Sequence, residues 1–196
     1  MSMYHEIVEA LLPLVRVFEQ LGIPYYIGGS VASSVHGVAR RTNDVDLIAQ
    51  ILPEQVHPLV QQLQHDYYVD EAAWRDAVRR GFSYNLLYLP TMTKIDVMPL
   101  RQRAFTREEA RRAQPIMLEA GAPALRIASA EDAVLSKLEW FQQGGRSSTR
   151  QWNDLLGVLR QQGGALDMNY LQNWAVVLGI RDLLEQALLD AGLTQP

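Results

Sequence analysis

The sequence contains no cysteine. Disulfide scaffolds, thiolate zinc sites, iron–sulfur clusters and cysteine nucleophiles are excluded together. Long apolar runs are also lacking. The run from Ala10 to Val15 contains Pro13 and stops at Arg16, and the run from Trp174 to Ile180 is seven residues. A bilayer-crossing helix needs about 20 apolar residues, so no membrane association is expected. The amino-terminal stretch MSMYHEIVEALLPL places glutamate inside its first apolar segment and has no basic leader. It does not read as a signal peptide, and a cytoplasmic location is expected. Positive charge is not in excess: 18 Lys and Arg stand against 22 Asp and Glu, for a net charge of −4. No global basic surface for nucleic acid follows from that balance. The local clusters Arg75/Arg79/Arg80 and Arg101/Arg103/Arg107/Arg111/Arg112 read as solvated helix faces. His5, His36, His57 and His65 show neither H-x-x-x-H nor H-E-x-x-H spacing, so no zinc site is expected. P-loop, dinucleotide and G-x-S-x-G patterns are missing as well.

What is present suffices for a packed enzyme or binding protein. Of 196 residues, 48% are apolar and 20% charged, enough for a real core in one domain carrying a helical extension. Ile7, Val8, Leu11, Leu12, Val15 and Phe18 recur at helical spacing, so residues 4–21 form a first helix, ended by Gly22 and Pro24. A short strand, 24–27, runs into Gly28-Gly29-Ser30, where Ser30 is expected to cap a short helix closed by Gly37. Strands are expected over 44–49, 82–89 and 94–98, with one more over 114–119, and helices over 54–64 and about 72–80. From Ala130 onward the pattern becomes helical throughout. Ser129 and Asp132 resemble a capping box for a helix over 130–143, and further helices follow over 150–161, 167–178 and 181–190. The fold class is α+β, a mixed sheet flanked by helices (residues 1–125) followed by an all-helical tail (126–196). Trp140, Trp152 and Trp174 lie at apolar positions of that tail and are read as core.

The chemistry concentrates between Gly28 and Ala49. Asp44 and Asp46 are two apart on a strand, so both side chains leave the same face. Asp96 sits mid-strand in KIDV, where an aspartate is out of character for β structure. These carboxylates either face water or converge on a cation. If they converge, hard oxygen ligands suit Mg²⁺ or Mn²⁺. Gly28 and Gly29 permit positive φ and a close backbone approach, and the following helix start offers N–H groups and a hydroxyl from Ser30 to a phosphate. A plain strand–helix turn is the structural alternative.

The run G-G-S, then H-G-x-x-R-x-T-x-D-h-D-h, then a third aspartate in a later strand, resembles the minimal nucleotidyltransferase pattern of the polymerase-β-type superfamily. Ala128-Ser-Ala-Glu-Asp132, Lys137-Leu138 and Arg150-x-x-x-Asp154 resemble its abortive-infection, AbiEii/AbiGii-type branch. The resemblance implies a nucleotidyltransferase-like fold and metal-dependent transfer of an NMP group from an NTP to an RNA (such as tRNA), a protein or a small molecule. In the toxin branch an antitoxin-like protein partner is implied as well. It further implies that Asp44, Asp46 and Asp96 bind Mg²⁺ (or Mn²⁺), with Asp96 as ligand or base, and that Gly28, Gly29 and Ser30 hold the triphosphate. Arg41 and Thr42, with Arg40 before them, match the lead-in that positions the strand or touches phosphate. Lys137 and Asp154 match the helical lysine and downstream aspartate of the branch's active site. From its helix, Lys137 either reaches over the rim of a cleft or is a solvated helix lysine, while Asp154 has an i, i+4 ion pair with Arg150 as its alternative. A catalytically silent binding module on the same fold is the competing function.

Overall fold

The structure, a computed structural model, describes residues 4–42 and 44–193. In chain order its elements are α1 (His5–Gln20), β1 (Tyr25–Ile27), α2 (Gly29–His36), β2 (Asp44–Ala49), α3 (Val56–Leu63), β3 (Tyr67–Tyr68), α4 (Glu71–Arg80), β4 (Tyr84–Tyr88), β5 (Thr93–Pro99), α5 (Ala104–Arg112), β6 (Gln114–Ile116), β7 (Leu125–Ile127), α6 (Ala130–Gln143), α7 (Thr149–Gln162), α8 (Met168–Val177) and α9 (Arg181–Ala191). They divide into two compact units: Met1–Gly28 with Arg41–Ile127, and Gly29–Arg40 with Ala128–Pro196. The division differs from the expected one at 125/126 because α2 belongs with the tail helices.

The first unit is built on a mixed sheet of seven described strands in the order β3-β4-β5-β2-β1-β7-β6. β2 pairs parallel with β5 and antiparallel with β1, while β4 and β5 form the expected hairpin. On α1, Leu11, Leu14 and Phe18 are fully buried, while Leu12 is half-buried. On β2 the pleat puts Val45, Leu47 and Ala49 into the core and Asp44 and Asp46 on the opposite face. Trp74 of α4 is buried and stacks on Tyr84 of β4, rings 5.1 Å apart and nearly parallel. β3 and β7 were not expected. They are two and three residues long, too short for a period-2 pattern to show. The strand expected over 114–119 ends at Ile116.

The second unit packs α2 against α6 and α7, with α8 and α9 completing it. The composition of α2 explains its placement, since GSVASSVH offers small side chains for close approach. Just past its end, a Cβ on Gly37 would stand 2.6 Å from the Val158 backbone nitrogen, so only glycine fits this crossing. Ser129 caps α6 as expected: its hydroxyl accepts from the Asp132 amide and donates to Oδ2 of Asp132. Ser30 is not a cap. The helix begins one residue earlier, at Gly29, so Ser30 lies in the first turn. Trp140, read as core, is 57% exposed. Trp152 is half-buried, tilted on Phe141, and its indole N–H donates to Asp190. Among the described residues no helix is long and apolar enough to cross a membrane.

Candidate active-site residues

In the first unit, the parallel pairing of β2 with β5 sets Asp44 opposite Lys94 and Asp46 opposite Asp96. Lateral neighbours share a face, so the three aspartates and the lysine gather on one patch of the sheet. Lys94 Nζ lies 3.0 Å from Asp96 Oδ2 and 4.0 Å from Asp44 Oδ1. The hydrogen bond to Asp96 outweighs burial and, with the charges of Asp96, Asp44 and Asp46, holds the ammonium above the ordinary lysine range. The side chain of Asp96 is mostly buried, and its Oδ1 is shielded from water with no hydrogen-bond partner among the described residues. An acceptor left in this way is costly and uncommon in a native protein. Among the described residues no three or more His, Asp or Glu side chains stand ready to hold a metal ion. The donor set nonetheless fits one: hard carboxylate oxygens on adjacent strands, one of them buried and with no donor among the described residues.

The lead-in residues separate by role. The Thr42 hydroxyl donates to the Asp44 carbonyl at 3.0 Å and fixes the entry to β2, the positioning role read from the sequence. Arg41 is turned to the surface, where it pairs with Glu6. Gly28 donates its amide to the Asp46 carbonyl at 3.0 Å, and a Cβ there would come within 3.1 Å of Ile48 Cδ1. Gly29 has φ +53°, a conformation that strains any branched residue.

A second group of charges lies in the second unit. Lys137 is 4% exposed and donates to Asp154 Oδ2 and to Gln151 Oε1, each at 2.8 Å. It is thus a buried lysine rather than one at the rim of a cleft. Arg40 grips the same carboxylate with both arms of its fork, at 2.7 Å to Oδ1 and 2.7 Å to Oδ2, and also donates to the Ser30 hydroxyl at 2.9 Å. Burial works against the Asp154 carboxylate. The hydrogen bonds from Arg40 and Lys137 prevail, and the group sits below the ordinary aspartate range. The expected Arg150–Asp154 pair gives way to these two partners. Arg40 is the functional candidate that the sequence reading passed over in favour of its neighbour Arg41. The signal was the Arg-Arg doublet ahead of T-N-D; which arginine turns inward is set by the backbone, where the Arg40 amide donates to the Ser34 hydroxyl at 2.9 Å. His36 takes the expected structural role, with Nε2 2.8 Å from the Ala128 carbonyl.

No protein-family model matches the sequence, and no curated protein is similar to it. Solved structures do resemble it. ANT(2'')-Ia, in a crystal structure in complex with adenylyl-2''-tobramycin, matches over 90% of this chain and 98% of its own, with a TM-score of 0.58 and 16% identity. In its solution structure as an antibiotic-resistance factor the same protein matches over 88% of this chain and 95% of its own, with a TM-score of 0.51 and 16% identity. An antigenic nucleotidyltransferase-like protein from Paracoccidioides brasiliensis matches over 91% of each chain, with a TM-score of 0.51 and 18% identity. Identities this low speak to the fold alone, and the fold is nucleotidyltransferase-like.

Proposed function

We propose that this chain is a nucleotidyltransferase that moves an NMP group from an NTP to an acceptor hydroxyl. The observation that carries the reading is the register of β2 and β5: Asp46 directly opposite Asp96, Asp44 on the same face, and a buried Asp96 oxygen with no donor among the described residues, all in a fold of this type. Asp44, Asp46 and Asp96 would hold Mg²⁺ or Mn²⁺, which when bound supplies positive charge to the attacking and leaving oxygens. The acceptor oxygen forms a bond to the α-phosphorus, and the bond from that phosphorus to the oxygen bridging the β-phosphate breaks. Pyrophosphate leaves with that oxygen and its electron pair. The hydroxyl proton passes to a carboxylate, for which Asp96 is the candidate. Gly28, Gly29 and Ser30 are assigned to the triphosphate. Arg40 and Lys137 are the candidate cations of the helical unit in preference to the surface-paired Arg41, and Asp154 holds both in position.

The acceptor classes are RNA, protein and small molecule; the adenylyl-2''-tobramycin complex of ANT(2'')-Ia illustrates the last. The tail residues Lys137 and Asp154 support an abortive-infection-type assignment with an antitoxin-like partner, as a reading of the sequence motif. Transfer is tested by incubating the purified chain with each α-labelled NTP, Mg²⁺ or Mn²⁺, and cellular RNA, protein and metabolites in turn. Label should pass to one acceptor class with wild type and not with Asp46→Asn. Equal labelling by both removes the carboxylates from the mechanism.

One observation favours the silent binding module: Lys94 already neutralises part of the carboxylate face. A melting experiment separates the readings, because a ligand bound only by the native state raises Tm. A rise with Mg²⁺ and NTP together supports the enzyme. No rise with any NTP supports the module.

A further inference from the structure

We propose that Lys94 is the resident counter-ion of the carboxylate face, holding the place that a divalent cation takes and moving out to solvent when one binds. The inference rests on the metal-binding reading of Asp44, Asp46 and Asp96 above. Its ground is geometry. Lys94 is laterally opposite Asp44 and two residues before Asp96 on the same strand, so the pleat points it at the aspartates. Its ammonium is 3.0 Å from Asp96 Oδ2 and 4.0 Å from Asp44 Oδ1, distances over which one cation serves two carboxylates.

The service is incomplete. The ammonium pairs with Asp96 and, more distantly, Asp44, and Asp96 Oδ1 stays buried with no donor among the described residues. A dication supplies twice the charge and takes more oxygen ligands than an ammonium has protons. The lysine can also leave cheaply. Its side chain is 43% exposed, on a flexible four-carbon stem, so release exchanges a partly solvated ion pair for water. The choice of residue type is informative as well. Of the 18 basic residues only Lys94 and Lys137 are lysines. Lys137, 5% exposed and held by Asp154 and Gln151, has no comparable route to solvent. An arginine at 94 would lock the face, because its planar fork matches a carboxylate with two bonds.

The test is calorimetric titration of Mn²⁺ into the full chain without nucleotide, paired with melting of the metal-free protein. Lys94→Met should bind Mn²⁺ about tenfold more tightly than wild type, since no cation has to be displaced. Its metal-free Tm should fall by about 2–4 °C, and Mn²⁺ should restore it. Lys94→Arg should bind Mn²⁺ more weakly than wild type. If Lys94→Met binds Mn²⁺ no more tightly than wild type while Asp46→Asn abolishes binding, the counter-ion role is overturned and the metal reading survives. Absence of Mn²⁺ binding in both wild type and Lys94→Met overturns both.

Discussion

Each unit gathers aspartate and lysine, and the two gatherings obey opposite rules. On the sheet, Asp44 and Asp96 share one half-exposed lysine, and among the described residues a buried oxygen of Asp96 has no donor. In the helical unit one aspartate is matched by a bidentate arginine and a buried lysine, each of which has a further neutral acceptor, Ser30 and Gln151. The first arrangement is short of positive charge and open, as a site awaiting a cation must be. The second is satisfied and closed, as a group that must stay in place must be. Removing an aspartate's charge should therefore be harmless to the fold in one region and damaging in the other.

The largest expected effect is on activity. Asp46→Asn should reduce nucleotidyl transfer by about 10³-fold or more, equivalent to about 4 kcal/mol of transition-state stabilisation. Its metal-free Tm should be unchanged or slightly higher, because the substitution relieves repulsion with the directly opposite Asp96. Initial rates and a melting curve on one preparation check both halves. A marked fall in Tm would mean that the open face is structural after all.

The converse substitution is Asp154→Leu. It leaves Lys137 buried and Arg40 without its carboxylate, which typically costs 3–5 kcal/mol. In a domain of this size that corresponds to a Tm loss on the order of 10 °C. Calorimetry decides, and a Tm within 2–3 °C of wild type would show the cluster to be more hydrated than its burial implies.

The contrast between the regions also explains what was legible in the sequence. The aspartates of the sheet could be read because strands obey a period of two: D-h-D fixes a shared face, and an aspartate between Ile95 and Val97 stands out in a strand. The capping box, the four tail helices and the β4–β5 hairpin rest on equally local rules. The ion cluster of the helical unit rests on none. Asp154 meets residues 114 positions away at Arg40 and 17 away at Lys137, and no spacing announces either contact. Arg40 and Arg41 are adjacent and chemically identical, yet one turns to Asp154 and the other to Glu6 at the surface. Lys94 was hidden differently. A lysine beside a strand aspartate reads as solvated until the parallel register puts Asp44 next to it.

Packing of the helical unit gives a smaller test. Gly37→Ala would place a methyl carbon 2.6 Å from a backbone nitrogen of α7, which cannot yield as a side chain could. Overpacking of this kind costs about 1–3 kcal/mol, or a Tm fall of about 5 °C. Gly29→Val should add a different loss, because φ +53° is unfavourable for a β-branched residue. On the proposed function Gly29→Val should also weaken NTP binding more than Mn²⁺ binding, which separate titrations would show. Equal NTP affinity in wild type and Gly29→Val would leave the turn a purely structural role.

The smallest expected effect is in acid. Burial penalises the charged form of Asp154, but the hydrogen bonds from Arg40 and Lys137 more than offset it, so the folded carboxyl titrates below its ordinary value of 3.8. A depressed carboxyl contributes stability that is fully present above the unfolded value and is lost as the pH falls through the folded one. Protonating Asp154 removes the counter-charge that the buried Lys137 and the half-buried Arg40 share. Wild type should thus lose Tm from about pH 4 downward more steeply than Asp154→Asn, and the gap between the two should narrow as the pH falls. Lys137→Gln adds the finer comparison. It removes one of the two cations that hold the carboxylate ionised, so its acid transition should begin at a higher pH than that of wild type. Melting curves at pH steps from 7 to 2, in constant ionic strength, measure all three chains. Parallel acid limbs for wild type and Asp154→Asn would mean that the Asp154 carboxylate gains nothing on folding, despite the three hydrogen bonds its oxygens accept from Arg40 and Lys137.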